Sequence, residues 1–498
     1  MYEKAPETVA AIDLGSNSFH MVVAHLRKGE LIVVDKLREM VRLAAGLTPS
    51  RNLSVEAQQK AIDCLQRFGQ RLKDMPPGSV RAVGTNTLRV ARNSNQFLQM
   101  AEAALGHPIE VIAGIEEARL IYQGVAGSLA TDGKRRLVMD IGGGSTEYII
   151  GIDKTPLRKE SLHMGCVSMS IGQFPEGKIT PKRFKKALIA AQIELEPMVE
   201  SFGKGQWDEA VGASGTMKTV EKLLLASGWS KDGITVEGLN KLIEALLSAG
   251  HWDKVQLPEL SPERKPILPG GIAILAATFK SLGISHMRVA EGALREGLLH
   301  DLLGRINHED IRERTVTAMA TRYHVDQEHA SRIKATARKL LSQVNLKRNP
   351  KYADPEQWLD WAADLHEIGL DIAHSGYHKH SAYIIENADL PGFSRQDQGI
   401  LALLVRAHRR KFPVKCFKEL NATQCQMTKA LALILRLAVL LNRSRHSVPP
   451  PLTALSLTDT NIDLRFPADW LNDHPLTEAD LAQETDYLHA VGIRLTYA

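Results

Sequence analysis

Two short stretches combine glycine, hydroxyl and carboxylate groups in the same order: DLGSNS at 13–18 and DIGGGS at 140–145. Glycine in a turn lets backbone N–H groups approach a phosphate without side-chain obstruction, and a hydroxyl adds a further donor. One such turn is ordinary turn chemistry. Two of them, each led by an aspartate at the end of an apolar run, describe a clamp around phosphate with carboxylates for a divalent cation. Mg²⁺ takes one or two carboxylates together with the substrate's own phosphates, and Asp140 and Glu147 could supply them.

The elements that must position these groups form an internal repeat. AAIDLGSNSFHMVVAHL from 10 reads against LVMDIGGGSTEYIIGID from 137, each as strand, aspartate, glycine-rich turn and strand. AVGTNTLR from 82 matches AVGASGTMK from 210, and VIAGIEEARLIYQG from 111 loosely matches RVAEGALREGLL from 288. Each half begins with β-branched runs and continues into helical periodicity. In SVEAQQKAIDCLQRFGQRL from 54, Ile62, Leu65, Phe68 and Leu72 share one face and Ser54 is the N-cap. This predicts two duplicated α/β lobes with a cleft between them. After about Arg305 the pattern turns to long helical stretches, and beyond VPPPL at 448–452 the segment TALSLTDTNIDLRFP alternates like a hairpin. The expected domains are lobe I at 1–124, lobe II at 125–304, an all-α domain at 305–447 and a small α+β module at 448–498.

Composition bounds the rest. The 498 residues are 44% hydrophobic and 24% charged, in the range of folded globular chains, and the four cysteines show no paired spacing for a disulfide framework or zinc knuckle. A reducing, cytoplasmic setting is expected, with peripheral contact at the inner face of the membrane left open, and Arg436 interrupts the longest apolar stretch. The net charge of +5 is uneven: 401–445 holds ten Lys or Arg against Glu419, and 331–351 holds seven against no acid. A polyanionic partner fits this distribution better than a uniform solubility trait.

DLGSNSFHM, VRLAAGL, GTNTLR, AGIEEARLIYQGV, DIGGGSTE, MGCVS, VGASGT and EGALREG, in this order, resemble the exopolyphosphatase and guanosine pentaphosphate phosphohydrolase family across nearly the whole chain. The resemblance implies an actin-like (ribonuclease H-like) two-lobed fold adapted to hydrolysis, an Mg²⁺ cofactor and a homodimer. It makes Glu117 the general base and Asp140 and Glu147 the cation-associated carboxylates. Ser16, Asn17, Ser18, Gly142, Gly143, Gly144 and Ser145 become the phosphate loops, with Arg89, Ser214, Gly215 and Thr216 nearby in the cleft. Hydrolysis of a phosphoanhydride asks for charge neutralisation and an aligned water rather than a covalent nucleophile, so these groups suffice. Without the resemblance, Glu117 reads equally well as a first-turn glutamate favoured by the helix dipole, Arg89 as a surface ion pair and Cys166 as an inert buried thiol.

LHEIGL, HSGYHKHSAYII and VRAHRR resemble the scaffold of HD-type metal phosphohydrolases, but His366-Glu367 replaces His-Asp and Asn442 stands where a last aspartate is expected. The expectation is an HD-like domain retired from metal binding, with His378, Lys379, His380, Arg406, His408, Arg409, Arg410 and Lys411 lining a track for a phosphate chain. The leading substrate is inorganic polyphosphate, and guanosine pentaphosphate is the alternative. No nucleic-acid partner is expected, and an actin-like ATPase or sugar-kinase activity is the weaker third reading.

Overall fold

The computed structural model describes residues 6–27, 30–307, 309–346, 354–418, 420–446, 451 and 454–498. They form two compact units, 1–309 and 310–498.

The first unit is built on two sheets. In one, β1 (Thr8–Leu14), β2 (Phe19–Arg27), β3 (Glu30–Glu39), β4 (Val80–Gly84) and β5 (Ile109–Val111) lie in the order β3-β2-β1-β4-β5. In the other, β6 (Arg135–Ile141), β7 (Thr146–Ile152), β8 (Thr155–Leu162), β9 (Glu209–Ala213), β10 (Ile234–Thr235) and β11 (His286–Val289) follow the order β10-β11-β9-β6-β7-β8. Apart from the added β10, the second sheet repeats the first: an antiparallel three-strand meander whose first strand also pairs in parallel with the fourth. The sequence repeat is therefore a structural one, and the fold is a duplicated actin-like one. β1 and β6 are central strands of apolar, β-branched character, buried on both faces as parallel pairing requires.

Helices cover both sheets. Val55–Leu72 starts at Ser54, whose Oγ accepts from the Ala57 N–H, and buries Ala61, Leu65, Phe68 and Leu72 against lobe I. Gly114–Ala126 and Leu294–Ile306 pack so closely that a Cβ on Gly297 would lie 1.8 Å from the Leu120 carbonyl oxygen, and one on Gly124 2.0 Å from that of Ala293. An ion cluster locks the same pair. Asp301 on the second helix meets Arg119 on the first and Arg81 on β4, and Arg305 lies 3.2 Å away. Burial alone would raise the Asp301 carboxyl, but Arg81, Arg119 and Arg305 hold it well below the usual range.

The second unit is helical, with a sheet of β12 (Ala454–Leu457), β13 (Asn461–Arg465) and β14 (Arg494–Tyr497). β12 and β13 form the expected hairpin, and β14 adds in parallel to β13. The boundary expected at 447/448 lies outside the described residues. On either side of it the core is continuous, since Leu455, Ile462, Leu464 and Leu481 pack in the same cluster as Trp358, Leu404 and Leu435. Ala422–Leu441 is long and apolar enough to cross a membrane, yet it packs in this core and its Arg436 is buried against Glu484.

Candidate active site

The cleft of the first unit is a cavity of about 360 Å³ lined by both glycine-rich turns. The turns join β1 to β2 and β6 to β7, so strand register places Asp13 opposite His20 and Asp140 opposite Glu147. Each duplicate thus carries an aspartate at the same place with a different partner across from it. The turns also touch. A Cβ on Gly143 would lie 2.8 Å from the Ser16 Cβ, and one on Gly144 would lie 2.3 Å from Asn86 Oδ1, so only glycine permits this approach. Thr87 donates its hydroxyl to Ser16 Oγ at 2.8 Å and fixes the first turn from the side. The helix Ser214–Ala226 begins at the same cavity, with Ser214 held at φ 85° and the Thr216 hydroxyl donating to the Ile141 carbonyl at 3.1 Å. That φ belongs to the region favouring glycine, a strain held in place where backbone N–H groups face the cleft.

Ser16, Asn17, Ser18, Gly142, Gly143, Gly144, Ser145, Ser214, Gly215, Thr216, Glu117 and Asp140 all line this cavity. Arg89 and Glu147 do not. Arg89 acts through Glu117, which it holds at 2.6 Å while donating to the Ile112 carbonyl at 3.0 Å. Glu147 is 1% exposed and accepts from Ser161 Oγ at 2.8 Å. The start of helix Gly114–Ala126 closes over Ser161, where a Cβ on Gly114 would come within 2.4 Å of the hydroxyl oxygen. Glu147 is absent from the lining, whose three carboxylates are Asp13, Glu117 and Asp140.

Four carboxylates crowd this point, and their electrostatics follow from burial. Desolvation, then the charge of Glu117, pushes Asp13 up to about 7 against the pull of Arg295. Desolvation, then Glu117 and Asp13, does the same to Asp140, also to about 7. Glu147 is raised well above its usual range by burial and by Glu117 and Asp140. Asp13 Oδ1 is buried without a hydrogen-bond partner. Hard oxygen donors, mutual repulsion and an orphaned oxygen have the chemistry that a divalent cation such as Mg²⁺ takes.

Several cleft residues were not singled out from the sequence: Lys36, Arg38 and Arg264 lie outside every motif, whereas His20, Lys218 and Arg295 sit inside DLGSNSFHM, AVGASGTMK and EGALREG. Burial, then Arg295, Arg38 and Arg264, drives His20 down to about 3, so its ring is neutral. Arg295 donates to its Nδ1 at 3.0 Å, which leaves Nε2–H to donate to Ser18 Oγ at 2.8 Å. Arg38, Arg264 and Arg295 make no ion pair among the described residues, unlike Lys218, which reaches Glu291 at 2.8 Å. Cys166 is buried at the cavity edge and its thiol is raised by desolvation, as its inert reading requires.

In the second unit the expected track divides. Lys379, Arg406, Arg410 and Lys411 are exposed and His380 is partly so, but His378 and His408 are 6% and 1% exposed. Their rings meet edge to face at 6.1 Å, and desolvation, their leading cause, pushes His378 down to about 4 and His408 well below its usual range. Neutral buried rings cannot attract a surface polyanion. Arg409 stacks on Tyr377 at 4.6 Å and, with Arg410, lines a cavity of about 330 Å³ that also includes His329, Glu367 and Arg445. In the described part of the basic run from 331, Lys334 pairs with Asp364, Arg338 with Glu356 and Asp360, and Arg332 lies 3.9 Å from Glu328. Lys347, Arg348 and Lys351 lie outside the described residues. Asn442, expected near a former metal position, instead donates to Thr336 Oγ1 and the Ala438 carbonyl.

The Ppx/GppA phosphatase family matches residues 22–306, and its domain III matches 311–485. A relative from Aeromonas hydrophila, named guanosine-5'-triphosphate,3'-diphosphate pyrophosphatase, is 40% identical over 485 residues, covering 97% of each chain. One of the same name from Vibrio atlanticus is 39% identical over 488 residues, covering 98% of this chain and 97% of its own. Among solved structures, an exopolyphosphatase from Cytophaga hutchinsonii aligns with a TM-score of 0.55 at 22% identity, covering 60% of this chain and 98% of that one. The Aquifex aeolicus PPX-GPPA enzyme aligns at 0.51 and 25% identity, covering 59% and 98%. With both regions matched in order and relatives aligned end to end, the chain belongs to the Ppx/GppA phosphatase family of phosphohydrolases.

Proposed function

We propose that the cleft hydrolyses the terminal phosphoanhydride of a linear polyphosphate, releasing orthophosphate one unit at a time. The observation that carries this reading is the set of three arginines, Arg38, Arg264 and Arg295, lining one cavity with no salt bridge to a carboxylate among the described residues. Guanidiniums without a salt bridge beside two glycine-rich turns suit a substrate that brings several negative charges of its own. The backbone N–H groups of the turns, with Ser16, Ser18, Ser145 and Thr216, would hold the terminal phosphoryl group. Arg264 and Arg295 would neutralise its oxygens as charge moves towards the leaving phosphate. Glu117, oriented by Arg89 at 2.6 Å, would take the proton from the attacking water. Mg²⁺ held by Asp13 and Asp140 would neutralise phosphate oxygens and draw electron density from the bond that breaks. Ser161 would hold Glu147, which faces Asp140 across the strand pair.

Guanosine pentaphosphate is the second reading, favoured by the names of the full-length relatives. Its 5′-triphosphate end presents the same anhydride to the same cleft. The test is phosphate release measured side by side from long polyphosphate, tripolyphosphate and guanosine pentaphosphate. Higher kcat/KM on long polyphosphate is expected, and a strong preference for the nucleotide would reverse the ranking.

A further inference from the structure

The helical unit contains a cluster that phosphate hydrolysis in the other unit does not use. Its core helices bring His329, His366 and Glu367 together so that one donor atom from each lies within 4.8 Å of the others. All three are buried, at 3%, 0% and 6% exposure. His366 Nδ1 donates to the Ala363 carbonyl at 2.7 Å, which fixes the tautomer and leaves the Nε2 lone pair facing the cluster. Among the described residues that Nε2 has no hydrogen-bond partner, and neither does His329 Nδ1. A buried polar atom left unsatisfied is destabilising, so two in one cluster require an explanation. Arg445 takes Glu367 Oε1 at 2.6 Å, and a carboxylate has a second oxygen to offer. The cavity of about 330 Å³ reaches His329 and Glu367 from the side of Tyr377, Arg409 and Arg410, so the cluster is open towards water on one flank.

We propose that His329, His366 and Glu367 bind a single divalent transition-metal ion of the zinc type, with a water or anion from the cavity in the remaining position. Two imidazoles and one carboxylate suit borderline ions such as Zn²⁺ and disfavour Mg²⁺, which prefers oxygen alone. This separates the site from the all-oxygen set in the cleft. Arg409, Arg410 and Arg445 around the open flank favour an anion over a neutral ligand there. The reading of a retired metal domain counted His366, Glu367 and Asn442 along the sequence. The fold substitutes His329, on a helix 37 residues earlier, and turns Asn442 to Thr336.

The test uses the full-length protein stripped with chelator and titrated with Zn²⁺ in excess Mg²⁺, which keeps the oxygen site filled. Bound zinc per chain is measured by mass spectrometry after gel filtration, affinity by calorimetry, and nitrogen ligation by the visible absorption of the Co²⁺ form. One zinc per chain is expected, with affinity at least tenfold weaker in His329→Ala and in Glu367→Gln and unchanged in Asp140→Asn. Circular dichroism checks folding, and if His329→Ala unfolds, Glu367→Gln decides. No retained zinc, equal affinity in the folded cluster variants, or loss of zinc in Asp140→Asn would overturn the site.

Discussion

Lowering the pH should weaken Mg²⁺ binding to the cleft in a way the buried aspartates make calculable. Asp13 and Asp140 both titrate at about 7, chiefly because burial disfavours their charged forms. Between about pH 4 and pH 7 the metal-free fold holds protons that the unfolded chain has released. Its stability therefore falls as pH rises through that window. Carrying one carboxyl from 3.8 to about 7 costs the ionised fold about 4 kcal/mol, a strain that a bound cation relieves. A cation needing one ionised aspartate gains about tenfold in apparent affinity from about pH 6 to about pH 8, and one needing both gains about a hundredfold. The assay is the rise in Tm on adding saturating Mg²⁺ without substrate, with Mg²⁺ titrations of activity alongside. The shift should be larger at the higher pH and should flatten in Asp13→Asn and Asp140→Asn. A shift independent of pH, or larger in acid, would refute the assignment of these aspartates to the cation.

Glu117→Gln should leave substrate affinity intact and lower kcat by about 10² to 10⁴, the usual worth of a general base; near wild-type turnover in phosphate-release kinetics would remove it from that role. Asp301→Ala leaves Arg81 and Arg119 buried without their shared anion and should cost about 3–5 kcal/mol in urea unfolding, whereas a cost below 1 kcal/mol would mean the cluster contributes little. Neutralising exposed Arg406, Arg410 and Lys411 together should weaken binding of long polyphosphate and flatten its salt dependence while sparing tripolyphosphate; equal losses on both substrates would remove the track from the surface.

The sequence disclosed the lobes because their chemistry is local. A strand, an aspartate and a glycine turn occupy adjacent positions, and their repetition revealed the duplicated sheets before any contact was known. What it concealed depends on partners distant in the chain. Glu147 reads as a cation ligand by spacing, but whether it reaches the cavity depends on Ser161 and the helix that closes over it. Arg264 carries no motif and becomes a cleft residue only when its segment folds back beside Thr216. The basic segment from 401 misleads for the same reason: a local charge count cannot see that Arg436 meets Glu484, Arg443 meets Asp480 and Arg445 meets Glu367. Of the track histidines, His378 and His408 are buried while His380 is partly exposed, since a helix turns from core to water within one turn, and His378 and Lys379 fall on opposite sides of that line.

The crossing of Gly114–Ala126 and Leu294–Ile306 gives the cleft a fixed brace. Helices that interlock through side-chain ridges must unmesh to turn on one another. These two meet through the backbone at Gly124 and Gly297, with no side chain at either contact to be lifted from a groove. The buried Arg119–Asp301 pair and the apolar cluster of Leu120, Ile121, Leu298 and Leu302 brace that close approach, and one arm of the pair begins beside Glu117 while the other begins beside Arg295. Glu117 and Arg295 are therefore carried on two helices tied at one point, and any side chain added at Gly124 or Gly297 would have to force those helices apart.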